Sequence, residues 1–207
     1  LNARYGKLKG AGYGLPALGL LYLAGAARRH GHRVAVVDAA AMGMPQDESA
    51  AAILERSPSV VGLSATTLGI ASAASLAARL KGAAPALRVV VGGPHATALP
   101  EDTLRRYAAF DAVAVGEGEI TLVELLEAWG SGRAVGSVAG IAWRDPNGDI
   151  RRTAPRPRVD DLDSLAPPAW DLVPGFPHRF SPPPLRVRKS PAATLVTSRG
   201  CPFECSF

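Results

Sequence analysis

The chain's two cysteines, Cys201 and Cys205, lie in the closing stretch Thr197-Ser198-Arg199-Gly200-Cys201-Pro202-Phe203-Glu204-Cys205-Ser206-Phe207. Thiolates are soft iron ligands, and a Cys-x3-Cys-x2-Cys spacing holds three irons of a four-iron, four-sulfur cluster while the fourth stays open to a small molecule. Cys201 and Cys205 match the first two positions, and the third thiolate is expected at the position after Phe207. Gly200 and Pro202 shape a tight loop around the pair, and the apolar run Ala193 to Val196 reads as a strand feeding it. The spacing alone is equally compatible with two incidental thiols, so context must decide. Two cysteines make no disulfide framework, so a reducing, cytoplasmic setting is expected.

A second group of residues suits ligand binding. Asp38 to Met44, Ser64 to Leu68, Gly92 to Thr97 and Gly116 to Glu119 are rich in small or hydroxyl residues, which let backbone approach a ligand closely. His95 reads as a polar loop residue that caps or hydrogen-bonds backbone. Glu117 and Glu119 resemble an acid–base pair, but Glu119 stands where a helix is expected to begin, a position that favours negative charge. Asp38 ends an apolar run and suits either ligand contact or a loop cap. Trp129, Trp143 and Trp170 read as packing residues.

The elements that must position these loops follow from periodicity. Leu18, Leu21, Tyr22 and Gly25 define one face of a helix from Leu15 to Arg29, with Gly31 as its C-cap. Further helices are expected at Ser49 to Arg56, Ile70 to Leu80, Glu101 to Tyr107 and Thr121 to Trp129. Short apolar strands alternate with them at Val34 to Val37, Val60 to Leu63, Val89 to Val91 and Ala112 to Val115. Continuous apolar strands between amphipathic helices predict a doubly wound, flavodoxin-like (Rossmann-type) α/β domain with a parallel sheet. With a first strand ahead of Leu1, five parallel strands are expected, and ligands bind beyond their carboxyl ends. Asn147-Gly148 predicts a hairpin between Val138 to Arg144 and Ile150 to Thr153. Prolines then dominate Ala154 to Pro191, which reads as an extended connector. The expected division is residues 1–130, a hairpin and linker over 131–190, and the start of a second domain at 191–207.

Composition bounds the function. The 207 residues are 47% hydrophobic, which supplies a core, and only 6% aromatic. The net charge of +5 is scattered, without the basic stripe and interleaved aromatics of a nucleic-acid surface. The apolar run Leu15 to Ala27 is too short to span a bilayer. The opening loop-like sequence, Asn2 to Gly14, and the severed cysteine motif are expected of a piece of a longer enzyme.

The cysteine loop, following an apolar strand, resembles the opening of the radical S-adenosylmethionine superfamily, whose barrel begins with a strand and a Cys-x3-Cys-x-aromatic-Cys loop. That resemblance implies that Cys201 and Cys205 are ligands of a 4Fe-4S cluster and that Phe207 is the aromatic beside the third ligand, against S-adenosylmethionine. Upstream, Leu18 to Ala24, Gly31 to Val34, Val61 to Ser64, Gly92 to Thr97 and Gly116 to Glu119 resemble, in order and spacing, the cobalamin-binding domain found in front of many such barrels. Pro167-Pro168-Ala169-Trp170-Asp171 continues the likeness into the linker. Any one of these Gly-rich turns alone is ordinary strand-to-helix geometry. Together they imply cobalamin contacts at Asp38, Ser64, Ala65, Thr66, Thr67, Gly92, Gly93, Pro94, His95, Thr97, Gly116, Glu117 and Gly118. One departure is that none of His30, His32, His95 or His178 sits in an Asp-x-His-x-x-Gly motif, so a protein histidine beneath cobalt is not expected.

The resemblance implies a radical modification, methylation or cyclisation, of a small-molecule or peptide substrate. Electrons would come from a flavodoxin- or ferredoxin-type donor, and cleavage of S-adenosylmethionine would give an adenosyl radical. The rival reading is a non-catalytic corrinoid-binding or scaffold domain, and with two thiolates the chain alone is not expected to turn over. A nucleotide-binding or response-regulator domain is disfavoured because a first-strand acidic or phosphate-loop signature is missing.

Overall fold

The computed structural model describes residues 16–177, 191, 193–201, 203 and 205. Phe207, His178, the opening loop and the Pro182-Pro183-Pro184 run lie outside the described residues. The elements, in order, are α1 (Leu18–Arg29), α2 (Ala39–Met42), α3 (Gln46–Leu54), β1 (Val60–Ser64), α4 (Ile70–Ala83), β2 (Arg88–Gly92), α5 (Pro94–Ala98), α6 (Pro100–Arg106), β3 (Ala112–Ala114), α7 (Glu119–Ser131), β4 (Ile141–Arg144) and β5 (Ile150–Arg152).

The five strands form one sheet in the order β1-β2-β3-β4-β5. β1, β2 and β3 are parallel, with Val61 opposite Val89 and Val91 opposite Val113. β4 then pairs antiparallel with β3, and β5 with β4. The sheet is therefore mixed, where an all-parallel one is expected from the sequence. After α7 the segment 132–140 returns to the carboxyl end of β3, where the Val115 amide donates to the Gly140 carbonyl, so β4 starts there and runs antiparallel to β3. The hairpin turn forms at Asn147-Gly148 as expected: Gly148 takes a φ of +88°, and the Asp145 carboxylate accepts from the amides of Asn147 and Asp149.

Two further strand expectations are corrected. Val34–Val37 joins no ladder. In the flavodoxin-like order the second strand borders only the first, and no described residue supplies that first strand; Val36 packs against Leu21 and Val173 instead. Ala193–Val196 likewise forms no strand, and Leu195 is 71% exposed. A strand exists through its neighbour's hydrogen bonds, and this segment has no such neighbour among the described residues.

Burial explains why the parallel strands are continuous apolar runs. Val89 and Val91 face a core built with Ile70, Ala74, Ala77 and Leu80 of α4, Leu104 of α6 and Phe110. Val90 and Ala112 point the other way, onto Leu125 and Ala128 of α7, Val138 and Ile141. Both faces are covered, so consecutive valines are all buried. Trp129 and Trp143 flank the second cluster, as packing residues should.

α1 lies beside α7 and ends as predicted at Gly31, whose φ of +83° lets the amides of Gly31 and His32 reach the carbonyls of Arg28 and Ala27. The proline-rich stretch is more than a connector, because it straps across α1. The Ala169 amide donates to the Leu21 carbonyl at 3.0 Å, Arg29 donates to the carbonyls of Ser164 and Leu165, and Arg28 pairs with Asp171 at 2.5 Å. A β-carbon on Gly25 would stand 2.2 Å from the Pro167 carbonyl oxygen. Only glycine at position 25 allows this approach. Trp170 stacks on Phe176 with ring centroids 4.4 Å apart. No helix among the described residues is long and apolar enough to cross a membrane.

Candidate functional site

Because β1, β2 and β3 run parallel, their carboxyl ends open on one edge of the sheet. That edge gathers Ser64, Ala65, Thr66 and Thr67 with Gly92, Gly93, Pro94, His95 and Thr97, and with Gly116, Glu117 and Gly118. Specific bonds lace the loops together. The Ala65 amide donates to the Gly92 carbonyl at 3.0 Å, and the His95 amide to the Ala65 carbonyl at 3.3 Å. His95 Nδ1 lies 3.3 Å from Thr67 Oγ1, and the Gly116 amide donates to Thr97 Oγ1 at 3.1 Å. Beyond them Thr66, Thr67 and Pro94 are exposed, and Leu68 presents an apolar side chain that is 98% exposed.

Gly93 is the tightest point of this edge. Its φ of +94° and ψ of −178° fall in a region that is essentially glycine-only. A β-carbon there would lie 2.8 Å from the Ala65 carbonyl oxygen and 3.0 Å from both the Ala65 amide nitrogen and Ser64 Oγ. Gly118 is tight for a different reason: its β-carbon would meet Leu23 of α1 at 2.9 Å.

The remaining acidic candidates have partners of their own. Asp38 caps α2, accepting from the Ala41 amide at 3.1 Å with one oxygen and from the Ala17 amide at 2.8 Å with the other. Glu119 opens α7, where the helix dipole favours it. Its carboxylate takes the Arg199 guanidinium at 2.5 Å. Glu117 approaches the same guanidinium at 3.4 Å and also accepts from the Val159 amide at 2.8 Å. The Glu119 hydrogen bond, with further pull from Glu117, pushes the Arg199 pKa above its ordinary value. Arg199 also sits 5.5 Å from the centre of the Tyr22 ring.

The sequence marks Tyr22 only as part of a helix face and gives no role to Arg199. The available signal was complementary charge, an arginine two positions before Cys201 and two glutamates in the Gly116–Glu119 loop, but ion pairs across 80 residues leave no periodic trace. Arg156 lies in the stretch that reads from sequence as an extended connector. It is instead a clamp, donating to Thr121 Oγ1 at 2.8 Å and the Ala139 carbonyl at 3.2 Å and binding the Glu124 carboxylate.

The donors present can be compared with the implied cofactors. Cobalamin is a broad, flat ring fringed with amides, and needs an open face without bulk. The strand-end edge has that character, with hydroxyls, glycines and one outlying leucine. Cys201 and Cys205 are both exposed and form no disulfide. Among the described residues no three His, Cys, Asp or Glu side chains gather to hold a metal ion.

A family model for the B12 binding domain matches residues 8–126. The chain is 36% identical over 192 residues to an uncharacterized methyltransferase, PH0819, of Pyrococcus horikoshii, covering 93% of this chain and 40% of that protein. It is 32% identical over 196 residues to the anaerobic magnesium-protoporphyrin IX monomethyl ester cyclase of Rubrivivax gelatinosus, covering 93% of this chain and 34% of the cyclase. The chain thus spans two fifths or less of the length of these relatives. Among solved structures, the fold is similar to OxsB, a cobalamin-dependent S-adenosylmethionine radical enzyme, with a TM-score of 0.67 at 20% identity over 77% of this chain and 22% of OxsB. It is also similar to TsrM from Kitasatospora setae, a radical S-adenosylmethionine methyltransferase, with a TM-score of 0.60 at 20% identity over 68% of this chain and 28% of TsrM. With the family match covering more than half of its residues, the chain belongs to the B12 binding domain family.

Proposed function

We propose that this chain is the cobalamin-binding portion of a radical S-adenosylmethionine enzyme, with residues 1–130 as the corrinoid-binding domain, 131–190 as hairpin and linker, and 191–207 as the entry to the barrel. The observation that carries the reading is the strand-end edge, where Gly93 leaves no room for a side chain and Thr66, Thr67 and Leu68 stand open above it. In this reading the corrinoid lies across Ser64–Thr67, Gly92–Thr97 and Gly116–Gly118, while Asp38 shapes the neighbouring loop through its backbone bonds.

When bound, a 4Fe-4S cluster with S-adenosylmethionine supplies radical chemistry, and the corrinoid supplies a methyl carrier or an electron relay. The chain's own contribution is to hold and orient. Cys201 and Cys205 give two thiolates to the cluster, and Phe207 lines S-adenosylmethionine. The threonine hydroxyls and loop amides meet the corrinoid amides, and Leu68 excludes water from the ring edge. Methylation or cyclisation of a small-molecule or peptide substrate, fed by a flavodoxin- or ferredoxin-type donor, is the reaction class, and the methyltransferase and cyclase relatives support it.

The test is to reconstitute the full-length protein anaerobically with iron, sulfide and hydroxocobalamin and assay S-adenosylmethionine cleavage. Cleavage that disappears with Cys201→Ala or Cys205→Ala is the expected result. No cleavage from protein with a fully loaded cluster would overturn the proposal.

A further inference from the structure

Among the described residues of the cysteine loop, Arg199 makes the ion pairs. Among the described residues from Val196 to Cys205, every one is exposed except Arg199. That side chain is 24% exposed and inserts between Glu119 and Glu117, which are 8% and 23% exposed. Nη2 donates to Glu119 at 2.5 Å, Nη1 lies 3.4 Å from Glu117, and the guanidinium carbon Cζ is 5.5 Å from the centre of the Tyr22 ring. The planar fork of arginine can engage two carboxylates and an aromatic ring together, which a lysine ammonium cannot reproduce.

The receiving loop matters as much as the arginine. Glu117 and Glu119 flank Gly118, directly after Gly116, whose amide is bound by Thr97 on the strand-end edge. Glu117 also takes the Val159 amide. One short loop therefore touches the strand-end edge with its backbone and holds the cysteine loop with its side chains. A loop that is otherwise exposed takes its position from its one partly buried, charge-paired contact.

We propose that Arg199 is a positioning residue: gripped by Glu117 and Glu119, it sets where the Cys201 loop stands relative to the strand-end edge. The proposal rests on the function proposed above for its purpose, since two cofactors that act in sequence need a fixed separation. Its geometry can be tested without either cofactor.

In the whole chain carrying Cys205→Ser, nitroxide labels are placed on Cys201 and on Leu68→Cys, and the distance between them is measured by pulsed electron paramagnetic resonance. The parent gives one narrow distance distribution. Arg199→Ala and Glu119→Gln each broaden it about twofold or more, the double variant broadens it no further than either single one, and Arg199→Lys restores part of the narrowing. Circular dichroism checks that each variant is folded, and the two single variants probe the clasp from opposite sides. A distribution of unchanged width in both single variants overturns the proposal. Hydroxocobalamin retention is measured on the unlabelled chain with Leu68 and Cys205 in place: loss there contradicts the proposed function, while the distance distribution still decides the clasp.

Discussion

The α-carbon of Gly93 packs directly against the Ala65 carbonyl, so that a β-carbon at position 93 would lie 2.8 Å from that oxygen. The contact ties the end of β2 to the end of β1 and leaves backbone, instead of side chain, facing the open edge.

Replacement of Gly93 therefore meets two separate obstacles. Gly93→Ala is expected to lose about 1–3 kcal/mol from backbone strain, and more because Ala65 and Ser64 must move. Gly116→Ala is the control: it shares a positive φ, +79°, but nothing lies within 4 Å of its β-carbon, so only about 1–2 kcal/mol of backbone strain is expected. Urea denaturation of the two variants checks the order, and equal losses would show that the Ala65 contact is unimportant.

Gly25→Ala pits helix propensity against packing. Alanine favours an exposed helix interior by about 1 kcal/mol over glycine, yet here its methyl would meet the Pro167 carbonyl at 2.2 Å. The clash is with backbone, so the strap must lift from α1. The variant is expected to be less stable and to be cut faster by protease within residues 159–175; stabilisation, with unchanged cleavage, would contradict the docking.

Arg156 ties the segment after β5 to α7, with a side chain only 13% exposed. Arg156→Ala leaves Glu124, Thr121 and the Ala139 carbonyl without this donor, and a loss of about 2–3 kcal/mol is expected. Arg156→Lys should recover less than half, because one ammonium cannot serve all three. Chemical denaturation measures both.

The Arg28–Asp171 pair predicts a pH dependence. The Arg28 hydrogen bond holds the Asp171 carboxyl below its ordinary value. A carboxylate with a depressed folded pKa adds stability above its unfolded pKa of about 4, and that contribution is lost as pH falls through the lower folded value. Asp171→Asn should therefore be less stable than the parent at neutral pH, with the difference closing on acidification. Both side chains are substantially exposed, so salt should shrink the difference as well. A difference that is constant with pH would contradict the assignment.

The sequence carried the parts of this fold that depend on local patterning. The valine run of β2 is buried on both faces, the Gly31 cap lies where periodicity ends, and Asn147-Gly148 turns the hairpin. Pairing was less visible. Val34–Val37 has the composition of a strand but no described neighbour, and nothing local to Ile141–Arg144 says that it joins β3. At the candidate site, the predicted strand-end glycines and threonines fall on one edge because β1, β2 and β3 run parallel and end together. Arg199 and Arg156 were not, because both act through partners far away in sequence, Glu119 and Glu124.

The central claim, that the strand-end edge holds a corrinoid, is tested most directly by incubating this chain with hydroxocobalamin and recording the visible spectrum of the protein peak after gel filtration. The account predicts about one equivalent retained, with absorption bands displaced from those of the free corrinoid, and weakened retention in Gly93→Ala at a temperature where that variant is folded. A protein peak without corrinoid, or an unshifted spectrum, would contradict it.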